Sequence, residues 1–195
     1  MSIKSKFHYT DKGIPFLGFE EIPDEFIVNF TEIQNKDFPE VKVTVSDLQA
    51  GDIINDNSYE NDGYRYHDVF HYTFATILNW SPCTRAMLKR KRKSNITIDR
   101  IEDGARAIIT EEAISLMIFS DAKANNYYSD SNNIDNKLIE MIKKMVSPFE
   151  VREKSSDEWK KAILNGYDIF RKLTFNKGGI VKFNRINKTI DFKPN

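Results

Sequence analysis

The longest helical pattern in the chain constrains the fold most. The segment IEDGARAIITEEAISLMIFSDAKAN carries apolar side chains every three or four positions over about 25 residues, as an amphipathic helix requires. Just before it, Asp99 and Glu102 have the spacing of a capping box, which predicts that the helix begins at Asp99. The sequence therefore predicts one long, continuous helix at the centre of a mainly helical fold.

Helical patterns recur on both sides of this segment. The stretch HDVFHYTFATILNW is followed by Ser81 and Pro82, a capping residue and a proline suited to the first helical position. A shorter amphipathic pattern runs from Lys137 to Val146. Ser155 and Glu158 form a second capping box, which predicts a last helix over EWKKAILNGYDIFRKLTF.

Alternation with a period of two occurs in two places. The residues Val41 to Val45 are typical of a half-exposed strand, and GGIVKFNRINKTIDF alternates on both sides of Asn187, which predicts a hairpin. We therefore expect a mainly α fold, a helical bundle in a single domain over residues 1–195. Its predicted parts are an irregular N-terminal segment with a short strand (1–55), a helical core (56–176) and a small C-terminal β-hairpin (177–195).

Composition excludes several classes of protein. Lysine plus arginine and aspartate plus glutamate each number 29, so no net charge draws the chain to nucleic acid or to a membrane. Cys83 is the only cysteine, which excludes disulfide frameworks and cysteine-based zinc sites. No apolar run approaches the roughly 18 to 20 residues of a membrane span, and the N-terminus lacks the apolar segment of a signal peptide. We expect a cytoplasmic protein in which any metal is held by His, Asp or Glu.

A carboxylate falls on the apolar face predicted for the long helix. At about 100° per residue, counted from Ile101, one stripe of the helix is apolar. Its members are Ala105, Ile108, Ile109, Leu116 and Phe119. Glu112 lies near the centre of this stripe, and Glu111 and Ser115 lie on one flank. Because a buried carboxylate is costly unless it is paired or bound to a cation, Glu112 either pairs with a buried Arg or Tyr or has a metal-binding or catalytic role.

Two histidines lie one helical turn apart in HDVFH. His67 and His71 fall on the apolar side of their helix, with Asp68 at its edge. This spacing can bind one cation and formally resembles the His-Glu-x-x-His helix of zinc metalloproteases. The alternative is that both imidazoles are core groups, hydrogen-bonded to backbone or tyrosine. Asp68 with Glu111 and Glu112 would instead form an oxygen-rich site suited to Mg²⁺ or Mn²⁺.

A run of basic residues follows Ser81 and Pro82. Its members are Arg85, Lys89, Arg90, Lys91, Arg92 and Lys93. Such a run suits the C-terminal end of a helix, is often a solvated face, and can also receive a triphosphate or a nucleic-acid backbone. We take Arg85, Lys89 and Arg92 as candidate phosphate-binding residues.

Several long stretches of the chain resemble a known family. The stretch DNSYENDGYRYHDVFHYTFATILNWSPCTRAMLKRKRKSN, followed by IEDGARAIITEEAIS, resembles the MazG C-terminal domain, and WKKAILNGYDIFRKLTFNKGGIVKF resembles the end of that domain. The resemblance implies an all-helical core with a small β appendage. It also implies kinship with the all-α nucleoside triphosphate pyrophosphohydrolases, which use Mg²⁺ held by carboxylates on two helices to split a triphosphate into a monophosphate and pyrophosphate.

The catalytic pattern of those enzymes is Glu-x-x-Glu on one helix followed by Glu-x-x-Asp on another. Glu111 and Glu112 resemble the acids of the first motif, with Ser115 where a third acid is expected. Asp68 resembles the final aspartate of the second motif, with Arg65 three residues before it. The order of the two helices is also reversed along the chain. These departures fit either a degenerate, ligand-sensing relative or an altered site.

The leading hypothesis is a Mg²⁺- or Mn²⁺-dependent nucleotide pyrophosphohydrolase. The predicted metal ligands are Asp68, Glu111 and Glu112, the predicted catalytic residues are His67, His71 and Glu111, and the predicted phosphate ligands are Arg85, Lys89 and Arg92. An altered site could be completed by His67, His71, Glu60 and Asp62. Arg65, Glu102 and Asp103 are further candidate site residues.

Two other functions stay open at this point. A non-catalytic module would bind a nucleotide or a nucleic-acid backbone through the basic run 85–93, and its binding would weaken with salt. A zinc hydrolase would use HDVFH. Because helical relatives of this kind often build sites across subunit contacts, we also expect a homo-oligomer.

Overall fold

The computed structural model describes residues 7–34, 37–130 and 133–195. Residues 1–6 of the predicted irregular segment therefore lie outside the described residues. The strands are β1 (Phe7–Tyr9), β2 (Pro15–Leu17), β3 (Glu25–Gln34), β4 (Pro39–Val45), β5 (Leu48–Gln49), β6 (Gly178–Asn184) and β7 (Thr189–Lys193). The α-helices are α1 (Asp68–Ile77), α2 (Pro82–Met87), α3 (Ile96–Ile101), α4 (Ala105–Ala124), α5 (Asn136–Met145) and α6 (Ser156–Asn176).

A five-stranded antiparallel sheet of order β5-β4-β3-β6-β7 forms one layer of the fold. Its central strand, β3, alternates between buried and exposed positions, so that Phe26, Val28 and Phe30 face the core. Phe26 stacks on Phe183 of β6 with ring centroids 5.1 Å apart. The helices α1 and α6 pack on this apolar face, which leaves the other face to solvent.

The predicted helical bundle is therefore wrong, as is the all-helical core implied by the family resemblance. The helices belong to an α+β fold, and the C-terminal hairpin is part of a sheet that includes the N-terminal strands β3 and β4. Sequence reasoning did not predict the strand β3, because the three consecutive apolar residues Phe26, Ile27 and Val28 break the alternation of apolar and polar positions. In the structure Ile27 points outward and is 52% exposed.

The single long helix is also a wrong prediction. Asn95, not Asp99, caps α3 by accepting hydrogen bonds from the backbone of Thr97 and Ile98, and α4 begins only at Ala105. Asp103 interrupts the helix because its carboxylate is tied to the backbone and guanidinium of Arg92.

The buried face of α4 also differs from the predicted stripe. Ile101, the origin of the predicted stripe, lies on a different helix, and Ile109 and Leu116 are exposed. The buried side chains of α4 are Ala107, Glu111, Ile114, Ser115, Ile118, Phe119 and Ala122. The carboxylate in the core is therefore that of Glu111 and not that of Glu112.

The predicted irregular segment 1–55 with one short strand is wrong as well, because β1 to β5 all lie within it. Several local predictions are confirmed. Ser81 caps α2 by accepting a hydrogen bond from the Thr84 amide, with Pro82 at the first helical position. Ser155 and Glu158 form the predicted capping box at α6. The predicted strand at 41–45 lies within β4, and β6 and β7 form the predicted hairpin.

The helix α1 is buried on all sides. All 10 of its residues are buried, because the sheet, α6, α2 and α4 all pack against it. Phe70 packs on Tyr167 with ring centroids 4.5 Å apart, and Phe74 meets Trp159 edge-on at 5.6 Å. A helix enclosed in this way holds its polar side chains in fixed positions.

Among the described residues, no helix is both long and apolar enough to cross a membrane.

Candidate metal centre

The imidazole of His71 is oriented by a buried carboxylate. Its Nδ1 lies 2.9 Å from Glu111 Oε1, and the side chains of His71 and Glu111 are 1% and 0% exposed. A carboxylate holds the proton on the nitrogen it faces, so Nδ1 is the donor. The opposite nitrogen, Nε2, is buried without a hydrogen-bond partner among the described residues and lies 3.4 Å from Glu112 Oε1.

Both carboxylate oxygens of Glu111 accept hydrogen bonds from protein donors. Besides His71, it accepts a hydrogen bond from Ser81 Oγ at 2.7 Å and one from the Cys83 amide at 2.8 Å. Both donors belong to the start of α2, which the Ser81–Pro82 pair fixes in place. The predicted metal ligand Glu111 therefore serves to position His71 and to join α4 to α2.

His67 is oriented by the backbone. Its Nδ1 lies 3.0 Å from the carbonyl oxygen of Tyr64, to which it donates in the neutral state. The Tyr64 ring stacks on the imidazole with centroids 4.3 Å apart and an interplanar angle of 6°. This arrangement leaves Nε2 of His67 with its lone pair free. Sequence reasoning missed Tyr64, because a backbone acceptor has no signature in the side-chain pattern.

Three ligand atoms converge in this region. One atom each from His67, His71 and Glu112 lie within 4.8 Å of one another. Asp68 flanks the group, with Oδ1 3.6 Å from His67 Nε2 and with a buried Oδ2 that has no hydrogen-bond partner among the described residues. Glu112 is 46% exposed and forms the solvent side of the cluster. We call His67, Asp68, His71 and Glu112 the histidine–acid cluster.

The electrostatics of the cluster differ from residue to residue. Burial lowers the pKa of His67 and raises that of Asp68. Burial also opposes the charged form of His71, but Cys83 and Glu111 outweigh it and hold the pKa of His71 well above its ordinary value. Although burial works against ionisation of Glu112, its interaction with His71 lowers the pKa of Glu112 to about 2. Shifts in opposite directions within one small cluster are typical of functional sites.

A second set of ligand atoms, from His71, Cys83 and Glu111, also lies close together. In this set the Nδ1 of His71 and the carboxylate of Glu111 already satisfy each other. Burial raises the pKa of Cys83, so its thiol stays protonated. The second set is therefore a hydrogen-bonded support and not a cation site.

The basic run does not join the cluster as one surface. The helix α2 ends at Met87, so most of the run lies in a turn, with Lys89 at a φ of 56°. Arg92 is buried and forms ion pairs with Asp103 at 2.7 Å and with Glu150 at 2.8 Å. Arg85 is also buried and donates to the Glu20 carbonyl oxygen. Of the three predicted phosphate ligands, Lys89 is the one whose side chain is exposed.

The remaining predicted candidates take part in structural contacts. Asp62 and Glu60 pair with Lys123 at 2.9 and 3.5 Å. Arg65 pairs with Asp56 at 2.7 Å and with Glu32 at 3.0 Å. Glu102 accepts a hydrogen bond from the Glu150 amide, and Asp103 is the partner of Arg92. The structure brings none of these described side chains into the histidine–acid cluster.

These observations define the class of protein: an α+β domain with a partly buried histidine–acid cluster. The MazG C-terminal domain family matches the chain over residues 8–195. The protein therefore belongs to the MazG C-terminal domain family. No curated protein and no solved structure matches the chain.

Proposed function

We propose that the protein hydrolyses nucleoside triphosphates to a nucleoside monophosphate and pyrophosphate at the histidine–acid cluster. Membership of the MazG C-terminal domain family supports a nucleotide substrate. The observation that carries the location is the convergence of His67, His71 and Glu112 within 4.8 Å. Water attacks the α-phosphorus, a new P–O bond forms there, and the bond to the bridging oxygen breaks so that pyrophosphate leaves.

The Mg²⁺ ion implied by the family resemblance does not fit this donor set. Both oxygens of Glu111 accept hydrogen bonds from protein groups. The atoms that do converge are two imidazole nitrogens and one carboxylate, whereas Mg²⁺ prefers oxygen ligands in near-octahedral geometry. The proposed reaction therefore includes no step that depends on Mg²⁺ held by Glu111.

Asp68 is the residue that we assign to accept the proton of the attacking water. Its Oδ2 is buried and has no hydrogen-bond partner among the described residues, so this oxygen is not engaged by other groups. Its neighbour His67 keeps Asp68 next to the converging nitrogens, with 3.6 Å between Oδ1 and Nε2. A proton acceptor must lie within hydrogen-bond reach of the water that it activates, directly or through one water.

A neighbouring cavity of about 270 Å³ is suited to the nucleoside. Apolar side chains line it, together with the polar side chains of Glu25, Ser46 and Gln49 and the basic side chains of Lys89 and Arg90. Gly51 lies between the cavity and the cluster, because a Cβ at Gly51 would lie 3.5 Å from Met87 Sδ, which lines the cavity, and 3.6 Å from Asp68 Oδ2. A nucleotide in this cavity would have its base on apolar side chains and its phosphates between basic residues and the cluster.

The first test is pyrophosphate release from a panel of ribo- and deoxyribonucleoside triphosphates, with Mg²⁺, Mn²⁺ or Zn²⁺ and with a chelator. We expect turnover by the intact protein and a loss of at least about 100-fold in kcat for Glu112→Gln. Glu140→Gln, an exposed change on α5, is the matched control and keeps full activity.

Two outcomes would contradict the proposal. One is the absence of turnover on every nucleotide by a protein whose circular dichroism shows the fold intact. The other is full activity in Glu112→Gln. Salt-dependent binding of nucleotide without turnover would favour the non-catalytic module instead.

The cavity can be tested separately with Leu48→Glu. Leu48 lines the cavity and is 75% exposed, so the change leaves the core intact. A carboxylate here repels the substrate phosphates, and we expect KM to rise about fivefold with kcat unchanged, less so at high ionic strength. Ile186→Glu, also on an exposed side chain, is the control. Equal KM values for the two variants would place the nucleoside elsewhere.

A further inference from the structure

We propose that His67, His71 and Glu112 bind one divalent transition-metal ion of the Mn²⁺, Fe²⁺, Co²⁺ and Zn²⁺ group. Two imidazole nitrogens and one carboxylate, with open positions left over, form the ligand set of many catalytic zinc and non-haem iron sites. Imidazole is a ligand of such ions and a poor match for Mg²⁺. Binding of the ion stands on geometry alone, and its part in catalysis rests on the proposed function.

Both imidazoles are held as metal-binding histidines are held. A histidine that ligates a metal donates its other ring N–H to a carboxylate, a backbone carbonyl or water. His71 faces the carboxylate of Glu111 at 2.9 Å, and His67 faces the carbonyl oxygen of Tyr64 at 3.0 Å. In each ring the nitrogen so engaged is Nδ1, which leaves Nε2 as the atom directed toward the ion. The Nε2 of His71 releases its proton when the ion binds, as metal ligands do.

The support for these rings is itself rigid. Glu111 is completely buried and is fixed by Ser81 and by the Cys83 amide. The Tyr64 ring stacks on His67 and is packed edge-on by Phe119, with centroids 4.9 Å apart. Ligands that are preorganised in this way need little rearrangement to accept an ion.

The unpartnered atoms at the cluster are a second, independent observation. Nε2 of His71 and Oδ2 of Asp68 are both buried without a hydrogen-bond partner among the described residues. Buried polar atoms are otherwise almost always paired, because leaving one unpaired costs free energy. A cation within the cluster would give His71 Nε2 its partner and would attract Asp68, which lies next to His67. When bound, such an ion would neutralise phosphate charge and activate water.

The site can be tested by titrating the full chain, freed of metal with a chelator, with Co²⁺. We expect about one ion per chain and the visible absorption of Co²⁺ bound to nitrogen and oxygen at low coordination number. A large excess of Mg²⁺ should leave the spectrum unchanged, whereas Zn²⁺ should remove it by displacement. The readout is binding and does not require a substrate.

Three variants separate the site from adventitious binding. His67→Ala and Glu112→Gln should each weaken Co²⁺ binding by at least about 100-fold. His8→Ala should leave it unchanged, since His8 pairs with Glu21 outside the cluster. Glu112→Gln keeps the side-chain shape at a half-exposed position, so it tests the site even where a histidine variant fails to fold.

The outcomes distinguish this inference from the proposed function. Unchanged Co²⁺ affinity in His67→Ala and Glu112→Gln, or equal affinity for Mg²⁺, would overturn the metal site. Nucleotide hydrolysis that persists with chelator would then leave the proposed function standing. Binding lost in both variants but no hydrolysis by the metal-loaded protein would support the site and refute the function.

Discussion

Arg92→Met is expected to lower the free energy of unfolding by about 3 to 5 kcal/mol. Arg92 is 3% exposed, and its guanidinium bonds Asp103 at 2.7 Å and Glu150 at 2.8 Å. Asp103 is completely buried. The variant leaves its carboxylate with the hydrogen bond from the Arg92 backbone amide but with no positive charge nearer than Arg85, at 3.8 Å. Removal of one partner from such a pair costs far more than the pair contributes, because the remaining charge has lost its compensation.

Urea denaturation of the intact protein and the variant measures this loss. Lys93→Met is the control, because it removes an exposed charge next to Arg92 and should change stability by less than about 1 kcal/mol. A loss below about 1 kcal/mol in Arg92→Met as well would mean that the ion pairs do not hold the break between α3 and α4. It would also reopen Arg92 as a phosphate ligand.

Glu111→Leu is expected to cost a similar amount, about 3 to 5 kcal/mol, for a different reason. Three donors, from His71, Ser81 and the Cys83 amide, lose their acceptor in a region with no access to water. Each buried donor left unpaired costs about 1 to 3 kcal/mol. Thermal or urea unfolding of the metal-free protein measures the change.

Glu112→Gln is the adjacent control for this experiment. Its side chain is 46% exposed, so solvent screening limits the loss of stability to about 1 kcal/mol or less. The same two variants distinguish the residue that supports His71 from the residue that binds the metal. Glu111→Leu acts on stability, and Glu112→Gln acts on metal binding and turnover. If Glu112→Gln proved the more destabilising change, the assignment of Glu111 as the buried support would be wrong.

The contact between Glu111 and His71 also makes the stability of the protein depend on pH in a defined direction. With its pKa raised in the folded state, His71 contributes stability that is fully present below its unfolded pKa, about 6.5, and is lost as pH rises through the folded value. We therefore expect the metal-free protein to lose part of its unfolding free energy toward alkaline pH. Glu111→Gln should flatten that part of the profile, as measured by urea unfolding at several pH values.

The sequence predicted elements where a local signal decided the structure. Ser81 and Pro82 predicted the start of α2 because capping depends on a few adjacent residues. The hairpin of β6 and β7 followed from alternation alone. In contrast, β3 was missed because its outward-facing Ile27 obscures the alternation, and the packing that makes β3 a strand comes from distant parts of the chain.

The sequence predicted that HDVFH lies close to Glu111 and Glu112, but not the different environments of the two acids. The grouping of HDVFH with Glu111 and Glu112 is found in the structure, because both histidines and both acids meet there. The roles of the acids were not accessible, since α4 carries two apolar stripes and the pattern does not show which one is buried. Glu112 lies on the stripe of Ile109 and Leu116, which is exposed, and Glu111 lies on the stripe of Ile114 and Ile118, which is buried. The break before α4 was also missed, because the contact between Asp103 and Arg92, eleven positions apart, leaves no periodic trace.

The pairing of β3 with β6 determines when, during synthesis, the protein can fold. Val28 lies opposite Val181 in the register of these strands, so the central strand lacks one neighbour until nearly the whole described chain has left the ribosome. Contacts of such large separation close slowly, because the intervening chain must first be ordered. Until then the apolar residues of β3 and β4 remain available to other chains, and an unpaired strand edge invites aggregation. A period in which β3 has an open edge is therefore built into the folding of this topology.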